Sequence, residues 1–411
     1  MIAPPTSDPR WLDLVVGKFQ VSLDFLATKI LLTRISALAK EDPKTIQSGV
    51  EELRTLFNKN IQSPKVQRDL IKIFGSRYHM APAIYDVEEV AEGLAEGRIF
   101  LLAGSEANLN KVPAGNWIGG TTPVTESETK DLLGYNRVFA TELPTFIVDT
   151  DIKVYEDVES LHNIYSESPQ NGYSIIIIPA SSSMHLSFAL NAPTYPAFAT
   201  RPLVGWISGV PTAALGMASP KVFNGKFAKA YTNAAVVMRV SLPPNKFAEV
   251  EVVNIFEPGS GDSLRVEEDG FEHQYVLING IKMRFADYIQ DSWKDRRLPL
   301  VANYLGVMIN SSFQKINLET GGARFYAPLF RGIEYRIANT IKDYKYEFFK
   351  RLPSENENSS IFSCNCYLNY LLFSDLDLKV PAALLGPTTF GEIAYQLLNQ
   401  TMVYVMISDL H

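Results

Sequence analysis

Four consecutive isoleucines, Ile175 to Ile178, stand near the middle of the chain and are closed by Pro179. A short apolar run ended by a turn-forming residue reads as a buried strand. The same texture recurs at 99–103, 145–152, 234–241, 248–255 and 272–278. Pro243-Pro244-Asn245, Pro258-Gly259-Ser260-Gly261 and Asn279-Gly280 separate these runs with residues suited to turns. Helix signals are fewer. One spans 88–97, and another spans 283–291, ahead of strand-like stretches at 323–327, 334–338, 360–364 and 402–407. Strands in successive blocks with interspersed helices predict an α+β fold, with many antiparallel pairs, rather than regular βαβ alternation. No period of ~20–50 residues repeats, which removes solenoids and propellers from consideration.

The beginning of the chain is patterned differently. Asp8-Pro9, Asp42-Pro43 and Ser63-Pro64 each place a capping residue before a proline suited to the first helical position. Apolar residues then follow at helical spacing: Ile46, Val50, Leu53 and Phe57 behind the second cap, and Val66, Leu70 and Ile73 behind the third. Gly75 is a natural stop. Residues 8–75 hold 11 basic and 8 acidic side chains, a charge of +3, so the remainder of a chain of net charge −7 carries −10. An all-helical N-terminal module over residues 1–82 is predicted, and 411 residues leave room for two or three compact units in all.

Charge narrows the partners. With 38 Lys and Arg against 45 Asp and Glu, the chain lacks the cationic balance of a dedicated nucleic-acid binder. The apolar windows are interrupted well short of the ~20 residues needed to span a bilayer, so no membrane partner is expected. Residues 1–5 show no basic region leading into an apolar stretch, and the chain is read as cytoplasmic. Two cysteines, Cys364 and Cys366, can build neither a disulfide framework nor a four-cysteine zinc site. No Rossmann glycine fingerprint, phosphate-binding P-loop or H-E-x-x-H motif occurs, so no cofactor or metal is expected.

Two segments are dense in special residues. The stretch from Pro113 to Pro123 contains Gly115, Asn116, Trp117, Gly119 and Gly120, followed by Thr121 and Thr122. Read as a glycine loop, it offers backbone N–H groups and hydroxyls to a ligand, with Trp117 as a stacking face. The plainer alternative is a tight connection between buried strands with Trp117 in the core. Gly386-Pro387-Thr388-Thr389-Phe390-Gly391-Glu392 echoes the Thr-Thr pair and sets one carboxylate among apolar neighbours. Asn365 would stand at the mouth of the site if the 360–364 strand ends at a surface. A hydrolase reading would use Cys364 or Ser183 as nucleophile. However, Ser181-Ser182-Ser183-Met184-His185 gives adjacency rather than triad geometry, and Gly205-Trp206-Ile207-Ser208-Gly209 lacks the nucleophile-elbow spacing.

Several short stretches, in order, resemble the FIST family, the F-box and intracellular signal transduction sensory domains. They are Phe223-Asn224-Gly225-Lys226 leading to 234–238, Val276-Leu277-Ile278-Asn279-Gly280, Ile361-Phe362-Ser363-Cys364, Gly391-Glu392-Ile393 and Asn399-Gln400-Thr401. The Gly115–Thr121 stretch is similar to a signature of uncharacterised FIST-related bacterial proteins. Asn365-Cys366-Tyr367 departs from the family, where a small residue and an arginine follow the cysteine. The resemblance implies two α+β lobes, 83–280 and 281–411, behind the helical module. It also implies a small polar metabolite, with amino-acid-like compounds suspected, held between the lobes. The site residues would then be Trp117, Thr121, Thr122, Asn365, Thr388, Thr389 and Glu392. The Thr hydroxyls would hold a carboxylate, Glu392 an ammonium and Trp117 an apolar side chain. A signalling protein would be engaged through the N-terminal helices. A docking protein without a ligand is the remaining alternative.

Overall fold

A computed structural model describes residues 83–123, 136–304, 307–352, 360–373 and 386–410. The helical module expected over 1–82 lies outside the described residues. The chain from Tyr78 onward forms one compact unit. Its described part is a mixed fold of many strands in six sheets with few helices.

The isoleucine run is the axis of this unit. It lies in the Gly172–Pro179 strand, every residue of which is buried. Side chains alternate faces along a strand, and the structure sorts the isoleucines accordingly. Ile175 and Ile177 join the largest core cluster with Trp206 and Ile118. Ile176 and Ile178 face a second cluster, with Met184 and Phe188 of the Ser183–Asn191 helix. A strand covered on both sides needs no polar face, which is why its sequence is continuous rather than alternating.

That strand pairs in parallel with Leu203–Ser208 and antiparallel with Ala235–Ser241, in a six-stranded sheet that ends with Glu392–Ala394 and Gln396–Leu398 on one side. Strands from late in the chain therefore complete a sheet begun early. Exchange runs the other way too: Lys246–Val253 pairs with Met402–Asp409, which in turn pairs with Ser360–Cys366.

A second six-stranded sheet holds the segment read from sequence as a glycine loop. Trp117–Thr121 is a strand, buried throughout and paired in parallel with Phe100–Gly104. Its glycines serve close approach rather than loop conformation. A Cβ on Gly120 would lie 2.8 Å from Ile177 Cγ2 and 3.0 Å from Ser208 Cβ. Gly120 thus lets this strand settle against the isoleucine strand of the other sheet.

Strand placement follows the sequence expectation closely at Phe100–Gly104, Ala235–Ser241 and Met402–Asp409. The 272–278 run instead divides into Gly270–His273 and Tyr275–Ile278, which pair with different strands.

Gly120→Ala is expected to cost about 1–3 kcal/mol by overpacking. The cost should shrink in an Ile177→Ala background, because the neighbour that the new methyl meets is gone. Urea denaturation of the four chains of this cycle measures it. Equal costs in both backgrounds would show that Ile177 is not the neighbour for which Gly120 makes room.

Candidate functional site

A cavity of about 690 Å³ opens where several strands end. The carboxyl end of Gly172–Pro179 contributes Ala180, Ser181 and Ser182, and the segment after Leu203–Ser208 contributes residues between Thr212 and Pro220. Opposite, the end of Ser360–Cys366 and the following Tyr367–Phe373 helix contribute Cys366, Tyr367, Leu368 and Leu371. Open α/β sheets commonly bind ligands outside the carboxyl ends of their strands. The volume lies within the roughly 300–1,000 Å³ of small-molecule sites.

The wall nearest the isoleucine strand is built by a sharp strand-to-helix turn. Ser181 adopts φ 62°, a left-handed conformation unusual for a residue with a side chain. Ser182 then caps the Ser183–Asn191 helix, its Oγ accepting from His185 N at 3.0 Å. The turn also turns the Ser181 N–H onto His185 Nδ1 at 3.1 Å. Because Nδ1 accepts, the ring proton of the neutral imidazole belongs on Nε2. Burial pushes the His185 pKa down to about 4, so the ring is neutral at physiological pH. His185 lines the cavity and is 9% exposed, and its Nε2 has no hydrogen-bond partner. The ring packs edge-on against Phe271, also in the lining, with centroids 5.8 Å apart.

The opposite side rests on a buried polar network. Glu392 is wholly enclosed. Its Oε1 accepts from Thr389 Oγ1 at 3.0 Å, and its Oε2 accepts from Thr401 Oγ1 at 2.9 Å and Thr401 N at 3.3 Å. Desolvation pushes its carboxyl up to about 8, against the opposing pull of the Thr401 and Thr389 bonds. Asn399 and Gln400 extend the network. Asn399 Oδ1 accepts from Ser312 N at 3.0 Å, and Gln400 joins Ser312 Oγ to Arg297 O. The Asn399-Gln400-Thr401 segment is the buried turn leading into the final strand. Thr389, Asn399 and Cys366 reach the cavity from this side.

Of the seven residues expected at the site, Thr389 alone lines the cavity. Trp117 is fully buried against Phe223, with its indole N–H donating to Pro113 O at 2.8 Å, and it offers no face to a ligand. The correction has a physical cause: in a buried strand the large apolar side chain goes to the core. Thr121 exchanges hydrogen bonds with the backbone of Lys221. Thr122 Oγ1 donates to Thr388 O at 2.8 Å, so the two Thr-Thr segments do meet, as structural partners behind the cavity wall. Asn365 pairs with Thr388 between adjacent parallel strands, and its carbonyl lies 3.3 Å from Thr389 Oγ1. Glu392 does not line the cavity, and its bonds to Thr389 and Thr401 run within the protein rather than toward an ammonium.

The two suggested nucleophiles sit elsewhere. Cys364 is fully buried and donates to Gly205 O at 3.3 Å, and burial holds its thiol well above the usual value. Ser183 Oγ donates to Asn233 Oδ1 at 2.8 Å and is not in the cavity lining. Among the described residues no group of three or more His, Cys, Asp or Glu side chains is placed to hold a metal ion. Likewise, no described helix is long and apolar enough to cross a membrane.

A family model, DUF6976, a family of unknown function, matches residues 85–408. The chain belongs to this family. The DUF6976 match spans the described unit and both walls of the cavity. No curated protein and no solved structure is significantly similar to the chain.

His185 and Arg324 line this cavity although the sequence did not single them out as site residues. Ser181-Ser182-Ser183-Met184-His185 was the available signal for the first: a capping serine after an apolar strand, with histidine three residues on. Nothing in the pattern around Arg324 distinguished it from an ordinary strand arginine.

Because the Glu392 pKa is raised from its ordinary 4.5 to about 8, the folded chain keeps a proton that the unfolded chain releases in that window. Its contribution to stability is therefore complete below pH 4.5 and is lost as pH rises toward about 8, at about 1.4 kcal/mol per pH unit. Glu392→Gln should remove that slope. Denaturation of both chains across the window checks it, and parallel pH profiles would mean that the buried carboxyl does not titrate as described.

Proposed function

We propose that this protein binds a small polar metabolite in the cavity between the Ser181–His185 turn and the Glu392 network, and that binding is its sensory function. The observation that carries the reading is the cavity itself, about 690 Å³ with a lining of mixed polarity, beside the buried and unpartnered Nε2 of His185. An unsatisfied buried donor costs roughly 1–3 kcal/mol. A left-handed Ser181 adds strain beside it. The strain comes from the chain reversal that lays the Ser183–Asn191 helix back over the isoleucine strand. The mixed lining suits the reading as well. Phe271 and Phe390 offer apolar faces, while Thr232, Gln314, Thr389 and Asn399 are lining residues with hydrogen-bonding groups.

The sensory role follows the resemblance of the short motifs to the FIST family. In this scheme the ligand favours one arrangement of the cavity walls, and residues 1–82 report it to a signalling partner in the cytoplasm. The cavity supports this reading over the hydrolase alternative, since neither Cys364 nor Ser183 is hydrogen-bonded to a histidine.

Thermal unfolding of the full chain against a metabolite panel is the test. A ligand at a hundredfold excess over its Kd should add about 2.7 kcal/mol of stability. The gain should vanish in Ala218→Trp, which fills the cavity from an exposed lining position. If no compound stabilises the chain, or if Ala218→Trp responds as wild type does, the cavity is not the binding site.

A further inference from the structure

The Thr389 hydroxyl stands between two acceptors. Glu392 Oε1 lies 3.0 Å from its oxygen, and the Asn365 carbonyl oxygen lies 3.3 Å from it. One hydroxyl proton serves one of them at a time. The two acceptors belong to different sheets. Glu392 opens the Glu392–Ala394 strand beside Trp206, and Asn365 is on Ser360–Cys366, which pairs in parallel with Thr388–Thr389. Thr389 and Cys366 both line the cavity, so the choice between acceptors is made in its wall.

The charge on Glu392 decides that choice. A carboxylate only accepts, and its charge-assisted bond takes the Thr389 proton. A carboxylic acid must instead place a proton of its own. Thr401 Oγ1 has no second acceptor among the described residues to which its own proton could turn, whereas Thr389 Oγ1 has Asn365 O. We propose that Glu392 and Thr389 form a proton switch in the cavity wall: uptake of one proton reverses the hydrogen bond between them and sends the Thr389 hydroxyl proton to Asn365 O. The acid form then has two hydrogen bonds where the carboxylate form has one, at the joint between the two sheets. The switch does not depend on what the cavity binds.

Desolvation sets its window, raising Glu392 from 4.5 to about 8, so the acid form prevails below that pH and the carboxylate above it. Cys364 and Cys366 are the titratable side chains that face Glu392 from Ser360–Cys366, and burial holds both thiols protonated through the window. Of the other strands packed against Glu392–Ala394, Leu203–Ser208 and Gln396–Leu398 carry no titratable side chain. Met402–Asp409 carries Tyr404 and Asp409, and Lys246–Val253 carries Lys246, Glu249 and Glu251. Burial raises Glu251 too, which makes a Glu392→Gln control necessary.

Asn365-Cys366 is the only Asn-Cys pair in the chain. Labelling asparagine at its backbone carbonyl carbon and cysteine at its amide nitrogen therefore gives one carbonyl–amide correlation in the full chain, which reports the Asn365 carbonyl. Its carbonyl shift should titrate with a midpoint near pH 8. Glu392→Gln should hold it constant, Thr389→Val should abolish most of the change, and Thr389→Ser, which keeps the hydroxyl, should restore it. A carbonyl shift that is constant in the wild type, or that titrates as fully in Thr389→Val, overturns the switch. Should Thr389→Val fail to fold, Glu392→Gln decides, because full titration in that chain removes Glu392 from the scheme.

Discussion

The Gly172–Pro179 strand has no solvent face, and the rest of the unit is arranged to keep it that way. One side requires a packed sheet, and Gly120 of the Trp117–Thr121 strand lets that sheet come close. The other side requires a helix, so the chain must reverse within three residues after Pro179 to lay Ser183–Asn191 back over Ile176 and Ile178. The reversal is what places Ser181 in the left-handed region and fixes His185 by its Nδ1. The candidate site is in this sense a by-product of burying four isoleucines twice over, with the unpartnered Nε2 as its chemical residue.

A second constraint acts from below. Glu392 lies in a strand of the same sheet, next to Trp206, in a place where a charge is costly. Three hydrogen bonds from Thr389 and Thr401 favour the carboxylate, and desolvation disfavours it more strongly, which leaves the group titrating near physiological pH. The Asn399-Gln400-Thr401 turn exists to satisfy this group and its neighbours, and it ties together segments that are far apart in sequence, from Arg297 and Ser312 to Cys366. Removing any one partner leaves a buried polar group unsatisfied in the low-dielectric interior.

Much of the fold was legible because strand periodicity is a local signal. Runs such as 99–103 and 234–241 declare themselves by composition and by the turns beside them. The Trp117–Thr121 strand was not legible for a physical reason: glycines at 119 and 120 read as loop residues until the opposing sheet is present to require them. The same limit governed the site. Thr122 and Thr388 were singled out as an echo, and they do bond to each other, but as a brace behind the wall. Trp117 looked like a ligand face and became core. Arg324 meets Glu272 by strand pairing and His185 meets Phe271 by ring packing, each across more than fifty positions of chain. Such juxtapositions leave no trace in a single sequence.

The central claim is that His185, in the wall of the cavity, is a neutral imidazole that carries its proton on a buried Nε2 with nothing in the protein to receive it. Long-range proton–nitrogen correlation spectroscopy of the His185 ring at neutral pH tests this directly. The account requires the Nε2–H tautomer in the free protein, with an Nε2 resonance that shifts when a compound that stabilises the chain is added. An Nδ1–H tautomer, an imidazolium at neutral pH, or an Nε2 resonance indifferent to every bound ligand would contradict it.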